Sequence, residues 1–227
     1  KYYLGGNVNS VAINSDGKGL STRFVSGDKS LLGEVKLNNY SITEADFGVY
    51  QTDALLKMLS VLDNDISVDL VKAEEKAISL DAKDSGAKVR YMLSDLSVIN
   101  TPPQLKQIPE FELLLNVDKT FVSKFISGKG ALPDTESFTI VSGDNPEVVI
   151  GYSSIATNRV AVPVENQTDN TIDNISFNAN LFKDVLEANK ECESAVLEVS
   201  SEGLARITFN VNDYESTYYL VAVQNVN

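Results

Sequence analysis

Ala45-Asp-Phe-Gly-Val-Tyr-Gln-Thr-Asp-Ala-Leu-Leu-Lys-Met-Leu-Ser-Val-Leu62, with the run after it to Asp95, decides the fold. Ala45–Tyr50 is short and puts Phe47 and Val49 on one face, a strand pattern. From Thr52 to Leu62 the period changes. Leu55, Met58, Leu59 and Leu62 fall on one side of a helix, and Lys57 and Ser60 fall on the other. Thr52 or Asp53 can cap its start. Ile66–Val71, Lys76–Asp81 and Ala87–Met92 then alternate with period two between polar turns, so the stretch reads strand, helix, three strands.

The same unit returns near the C-terminus. Asn174–Phe177 is a strand, and Asn178–Asn189 is a helix with Leu181, Phe182, Val185 and Leu186 on its buried side. Strands follow at Ala195–Val199, Leu204–Val211 and Tyr214–Val223. A slide of about 127 residues puts Tyr50 on Phe177, Asp53 on Asn180, Leu55 on Phe182 and Leu59 on Leu186. Two further residues after the helix put Val68 on Leu197, Ile78 on Ile207, Leu80 on Phe209 and Tyr91 on Leu220. A third copy has a strand at Glu110–Asn116 and an Asp118 cap. Its helix runs over Lys119–Ser127 and stops at Gly128, with Phe121, Val122, Phe125 and Ile126 as the apolar side; strands follow at Ser137–Val141, Glu147–Tyr152 and Arg159–Val164. At the start only the three-strand part is present, at Ser10–Asn14, Gly19–Val25 and Ser30–Leu37. Ser97–Pro109, with three prolines, reads as a linker whose Val98, Ile99, Leu105 and Ile108 hold it on a surface. Hence two similar α+β domains, 1–96 and 110–227, joined by a linker at 97–109, in four βαβββ units of which the first lacks its strand and helix.

Composition narrows the chemistry. Of the 227 residues 43% are hydrophobic, enough for a packed core, and no apolar run nears the roughly 18 residues of a membrane span. The single cysteine, Cys192, excludes an internal disulfide and suits a reducing compartment. The absence of histidine removes Ser–His and Cys–His nucleophile pairs and the commonest zinc ligand. Asp63-Asn-Asp65 with Asp69 lacks the glycine and distal glutamate of a calcium loop, and reads as a helix-to-strand turn. No phosphate-binding glycine loop occurs, and no pair of acids is placed by spacing in a cleft. No catalytic residue, metal site or cofactor is expected, and the chain reads as a non-enzyme.

The net charge of −13 argues against nucleic acid unless the bases are segregated. Two helix faces are nearly free of acid. One carries Lys57 and Ser60; the other carries Lys124 with Thr120, Ser123 and Ser127. The last helix is mixed, with Lys183 and Lys190 beside Asp184 and Glu187.

Four βαβββ units in two domains joined by a proline-containing linker resemble the DNA polymerase sliding clamps, and the length is similar to the two-domain clamps that form trimers. Val8-Asn-Ser-Val-Ala-Ile13 and Phe47-Gly-Val-Tyr-Gln-Thr-Asp-Ala-Leu-Leu56 resemble segments of the clamps of T4-like phages; Phe177-Asn-Ala-Asn-Leu-Phe182 is similar to a segment of phage and eukaryotic-type clamps. The resemblance implies a DNA clamp fold with helices inside and antiparallel sheets outside. It implies a homotrimeric ring that encircles duplex DNA without sequence preference and tethers the replicative polymerase as a processivity factor. A separate loader would close the ring, in the cytoplasm of a phage-infected host cell and not outside it. Such a ring needs only weak, non-specific attraction inside, and an acidic exterior would keep DNA off the outside. The alternative from another class is an acidic, β-rich structural virion or interaction module without DNA function.

The resemblance also implies sites. Lys57, Lys119, Lys124, Lys183 and Lys190 would face DNA. Val98, Ile99, Leu105 and Ile108, with Val223 and Val226, would form the pocket for polymerase and loader peptides. Ser30–Leu37 and Tyr214–Val223 would pair within the chain. That leaves the edges Ala87–Leu93 and Asn158–Val164 for neighbouring subunits, through Val89, Tyr91, Arg159, Val160 and Val162. Only nine residues precede Ser10, too few for the missing strand and helix, so the chain is expected to be a truncated clamp. Tyr2, Tyr3 and Leu4 would be the last turn of the lost helix, stopped at Gly5-Gly6. Val11, Ile13, Leu20 and Phe24 would then lack their cover.

Overall fold

The computed structural model describes residue 4 and residues 8–105, 107–153 and 157–223. The strands are β1 (Val11–Ser15), β2 (Leu20–Val25), β3 (Leu31–Leu37), β4 (Ala45–Val49), β5 (Ser67–Ala73), β6 (Lys76–Lys83) and β7 (Lys88–Met92) in the N-terminal half. The C-terminal half has β8 (Leu113–Asp118), β9 (Ser137–Val141), β10 (Glu147–Ile150), β11 (Val160–Pro163), β12 (Ile175–Asn178), β13 (Ser194–Ser200), β14 (Leu204–Val211) and β15 (Tyr214–Val221). Helix α1 (Thr52–Leu59) follows β4, α2 (Lys119–Ala131) follows β8, and α3 (Ala179–Ala188) follows β12.

Among the described residues all pairings are antiparallel. Eight strands form one sheet in the order β4-β1-β2-β3-β15-β14-β13-β8, which crosses from one half to the other at β3 and β15. Smaller sheets, β5-β6-β7 and β11-β10-β9-β12, complete the two halves. The expected pairing of Ser30–Leu37 with Tyr214–Val223 is present, with Tyr214 opposite Leu37 and Leu220 opposite Leu31. Backbone hydrogen bonds help to tie the smaller sheets to the large one: the Ser94 N–H donates to the Gly48 carbonyl, and that of Val223 to the Ser176 carbonyl.

The repeat is real, and its register differs from the sequence match. Across β5-β6-β7, Leu70, Leu80 and Tyr91 lie side by side; across β13-β14-β15, Leu197, Ile207 and Tyr218 do. Each pair is 127 residues apart, so the two extra residues placed after the helix do not exist. A slip of two leaves every strand side chain on its own face, so the apolar pattern alone cannot detect it. One residue also moves before α1. Val11 pairs with Val49 where Phe138 pairs with Phe177, so Val49, not Tyr50, matches Phe177. Tyr50 is the extra residue, and it is exposed.

Further corrections are local. Helix α2 does not stop at Gly128; it runs to Ala131, and Gly128 is where β11 comes close. A Cβ there would lie 2.8 Å from Val160 Cγ1, so only glycine fits without displacement. The buried Lys129 amine closes the end by donating to the carbonyls of Leu132 and Pro133, at 3.3 and 2.8 Å. Asp118 caps α2 as expected, accepting from the Phe121 N–H, and Asn178 caps α3 in the same way. Helix α1 has no side-chain cap; the Thr52 hydroxyl donates instead to the Val8 carbonyl.

The face expected to lack cover is partly closed. Val11 and Phe24 are buried, while Ile13 and Leu20 are half-buried. Phe24 lies over Gly33 and meets Tyr218 edge-on at 6.3 Å, and Leu4 and Val8 are buried beside it in the same core. Tyr2, Tyr3, Gly5 and Gly6 lie outside the described residues.

Candidate nucleic-acid interface and partner surfaces

Helix α2 has the cleanest charge pattern. It holds three lysines and no acid, and its apolar side is fixed by an aromatic cluster. Phe125 meets Phe138 and Phe182 edge-on at 5.3 and 5.0 Å and lies 6.0 Å from Phe121, while Phe138 stacks on Phe182 at 4.8 Å. That packing turns Thr120, Ser123, Lys124 and Ser127 to solvent, the face expected from the sequence. Helix α3 lies alongside α2.

The five lysines differ in what holds them. Lys119 donates to Glu193 at 2.5 Å, and Lys183 pairs with Glu187 at 3.2 Å one turn along α3. Lys57, Lys124 and Lys190 are exposed and make no ion pair with any described residue. Lys190 lies beyond the end of α3, in the turn, and not on the helix face.

The linker lies on the outer face of the large sheet and is tied at two points. Arg23 on β2 pairs with Glu34 at 2.8 Å and donates Nη2 to the Pro103 carbonyl at 3.1 Å. Arg206 on β14 pairs with Glu198 through a 2.6 Å bond and sits over the Phe111 ring at 4.7 Å. From β2 to β14 is three strand spacings, about 14 Å. The residues from Pro103 to Phe111 can reach roughly 26 Å, so the linker crosses β3 and β15 without strain. Beneath that path Leu32 and Tyr219, paired across β3 and β15 on the outward row of Arg206, are both buried.

The expected peptide pocket does not converge as a set. Ile99 is buried, its side chain against Gly48, where a Cβ would lie 3.0 Å from Ile99 Cγ1, so it pins the linker. Val98, Leu105, Ile108 and Val223 are exposed, and Val226 lies outside the described residues. A groove of 390 Å³ does run between the linker and the sheet. Its lining includes Ile13, Arg23, Asp46, Leu96, Ile99 and Pro102. Of the expected residues only Ile99 reaches it. Arg23 and Asp46 were missed because each belongs to a strand whose outward face reads as ordinary solvated surface.

The expected edges β7 and β11 are open, but of their named side chains only Arg159 is exposed. Among the described residues, β7 pairs only with β6 and β11 only with β10. Val89 and Tyr91 are buried under α1, and the Tyr91 hydroxyl donates to the Gln51 carbonyl at 3.2 Å. Val162 is buried, Val160 is half-buried against Gly128, and Arg159 is exposed. What the edges offer a neighbour is backbone, with Lys88, Arg90 and Met92 on β7 and Ala161 and Pro163 on β11. A groove of 580 Å³ between α2 and β11, lined by Phe121, Lys124, Val160, Val162 and Val164, adjoins the second edge.

Among the described residues no helix is long and apolar enough to cross a membrane, and no group of three His, Cys, Asp or Glu is placed to hold a metal ion. No protein-family model and no curated protein sequence matches the chain. In three dimensions it matches a crystal structure of Proliferating Cellular Nuclear Antigen from Entamoeba histolytica. The TM-score is 0.76 over 97% of this chain and 92% of that one, at 14% identity. At that identity the likeness is one of fold, and it agrees with the repeat, the sheet order and the helix placement: the chain has the DNA clamp fold, two similar α+β halves built from βαβββ units.

Proposed function

We propose that the chain is a sliding clamp: three copies close into a ring around duplex DNA and hold the replicative polymerase to its template. The observation that carries this reading is the fold, in which the last strand of a three-strand run is left open on one side in each half, β7 in one and β11 in the other. Different edges at the two ends suit a head-to-tail contact, and such a contact closes into a ring when its rotation allows. The domains are 1–96 and 110–227, with the linker 97–109 strapped across the sheet that joins them. Partner peptides from polymerase and loader enter the groove at Leu96, Ile99 and Pro102. The phage-type lineage and the host cytoplasm belong to the same proposal.

Topology does most of the holding in such a ring, so the inner surface needs only weak attraction. Helix α2 supplies it through Lys124, with Lys57 on α1; Lys119 and Lys183 are partly neutralised by their glutamates. The test is mass in solution. Light scattering at micromolar concentration gives three times the 24.7 kDa chain mass. Met92→Glu, on the exposed part of the β7 edge, lowers it to one chain without loss of secondary structure. A wild-type monomer, or a trimer indifferent to changes on both edges, overturns the reading. Reversal of Lys57 and Lys124 together leaves the mass unchanged and weakens retention on circular DNA, more so at higher salt.

A further inference from the structure

The joint between the two halves has a counterpart at the open edges. Within the chain β3 lies antiparallel to β15, with Lys36 opposite Glu215, Val35 opposite Ser216 and Gly33 opposite Tyr218. In the repeat Tyr91 of β7 matches Tyr218 of β15, 127 residues on. Strand β11 matches β3 in the same way. From Ile13 one row runs through Thr22 to Val35; from Ile140, 127 residues on, it runs through Val148 to Val162. So β7 and β11 are the counterparts of two strands that already pair inside the chain. The even residues of β3 turn their backbone to β15: the Asn38 N–H donates to the Asp213 carbonyl, and the Ser30 carbonyl accepts from the Val221 N–H. Lys36 is one of these, so its match Pro163 stands where an N–H would face a neighbour and has none.

We propose that a second copy of the chain lays its β7 on β11 in this same register, with Val89 opposite Val162, Arg90 opposite Ala161 and Lys88 opposite Pro163, and that Lys88 and Glu147 select this pairing. The inference rests on the ring reading and adds to it the register and the charges that choose the partner strand. Glu147 lies beside Pro163 on β10, half-buried and without an ion pair to any described residue. Lys88 would stand in the same row one strand further out, roughly 9–10 Å away between Cα atoms, with only the proline ring between them. The two side chains together span that gap. The inner joint has the opposite signs: β3, the match of β11, brings Lys36, and β15, the match of β7, brings Glu215, 3.4 Å apart. If β15 were laid on β11, Glu215 would meet Glu147. If β7 were laid on β3, Lys88 would meet Lys36, and on a second β7 it would meet the lysines Lys83 and Lys88 that share one row. The reversal of sign leaves β7 on β11 as the pairing that joins opposite charges.

The test uses the full chain with Cys192→Ser and two new cysteines. Arg90→Cys with Ala161→Cys sets the Cα atoms about 5.5 Å apart across the joint, within disulfide reach. Oxidation should link the chains into covalent trimers. Arg90→Cys with Pro163→Cys is a diagonal pair and should link about tenfold more slowly or not at all. In the chain without new cysteines, Lys88→Glu should raise the concentration for half-dissociation by about five- to tenfold at low salt. Glu147→Lys should do the same, and the two changes together should restore the wild-type value. A wild-type monomer overturns the ring reading and this register with it. A wild-type trimer that links better through the diagonal pair overturns the register alone. A double variant no tighter than the single ones overturns the selection by Lys88 and Glu147.

Discussion

The two halves of this chain are built on one plan and hold together differently. At matched positions 127 residues apart the C-terminal half places Phe182, Val185, Leu186, Leu197 and Ile207 at or near zero exposure. The N-terminal half places Leu55, Met58 and Leu59 half-buried, and Leu70 and Leu80 at 8%. The side chains are comparably apolar, so hydrophobicity does not make the difference. What differs is the second covering layer: β8 and α2 close one half, and among the described residues nothing equivalent closes the other. Burial needs a partner surface as well as an apolar residue, and the comparison separates the two.

The largest expected effect tests that separation directly. Phe182→Ala removes a ring enclosed by Phe125 and Phe138, and should cost about 3–5 kcal/mol. Leu55→Ala, at the equivalent place on α1, should cost below about 2 kcal/mol, because water already reaches one side of it. Urea unfolding of the two variants gives both numbers. Equal costs would mean that the N-terminal half is closed in solution by something that mimics β8 and α2.

Most of this plan was legible in the sequence, for stated physical reasons. Strand and helix periods differ, so the order β4-α1-β5-β6-β7 and its repeat could be read from Phe47, Leu55, Leu59 and the alternating runs. The pairing of β3 with β15 followed from counting edges. Register did not follow. A slip of two keeps Leu70 and Leu80 on their face, and only the ladder fixes it. The end of α2 was misread because Gly128 looks like a stop, whereas its role is to admit Val160. The site was less legible. The exposed side of α2 was found because it lacks acid, but the ties Arg23 to Pro103 and Arg206 to Phe111 join residues far apart in the chain. Val89, Tyr91 and Val162 were placed correctly on edge strands, yet their side chains face the core.

A pair of glycines sharpens the comparison at intermediate size. Gly128 faces Val160 and Ile150, whose atoms would lie 2.8 and 3.3 Å from an added Cβ, while Gly130, two residues on, has nothing within 4 Å. Gly128→Ala should push β11 off α2 and cost about 1–3 kcal/mol, as overpacking does. Gly130→Ala should stabilise by up to about 1 kcal/mol, since an exposed helical alanine loses less entropy on folding. If the ring reading holds, Gly128→Ala also weakens the trimer through the displaced edge and Gly130→Ala does not. Thermal melts and light scattering on the same samples separate the two outcomes.

The smallest effect concerns acid, and it too is unequal between the halves. Asp84 is held below the usual carboxylate range by the N–H groups of Asp63, Gly86 and Ala87, Asp95 by that of Ser97, and Asp81 by the Arg90 guanidinium. Asp16 is lowered by the N–H groups of Lys18 and Gly19. Asp28 is lowered too: burial works against its charge, but hydrogen bonds from Ser26 and Ser30 outweigh it. Among the described residues of the C-terminal half the one such group is Glu112, lowered by Ser201 through its hydroxyl and N–H. A carboxyl with a folded pKa below its unfolded one adds stability above the unfolded value, and that stability is lost as pH falls through the folded value. The loss therefore begins below about pH 4, the ordinary range of these groups, and falls mainly on the N-terminal half. Asp16, Asp28 and Asp95 are exposed and Asp81, Asp84 and Glu112 half-buried, so water screens all six and each contribution is modest. Urea midpoints at pH 6 and pH 2.5 should show a smaller acid-induced drop for Asp84→Asn than for wild type. Exchange at pH 2.5 should open β6 and β7 before β13 and β14. Simultaneous opening of the two sets would mean that the contact between β3 and β15 couples the halves more tightly than their unequal cores suggest.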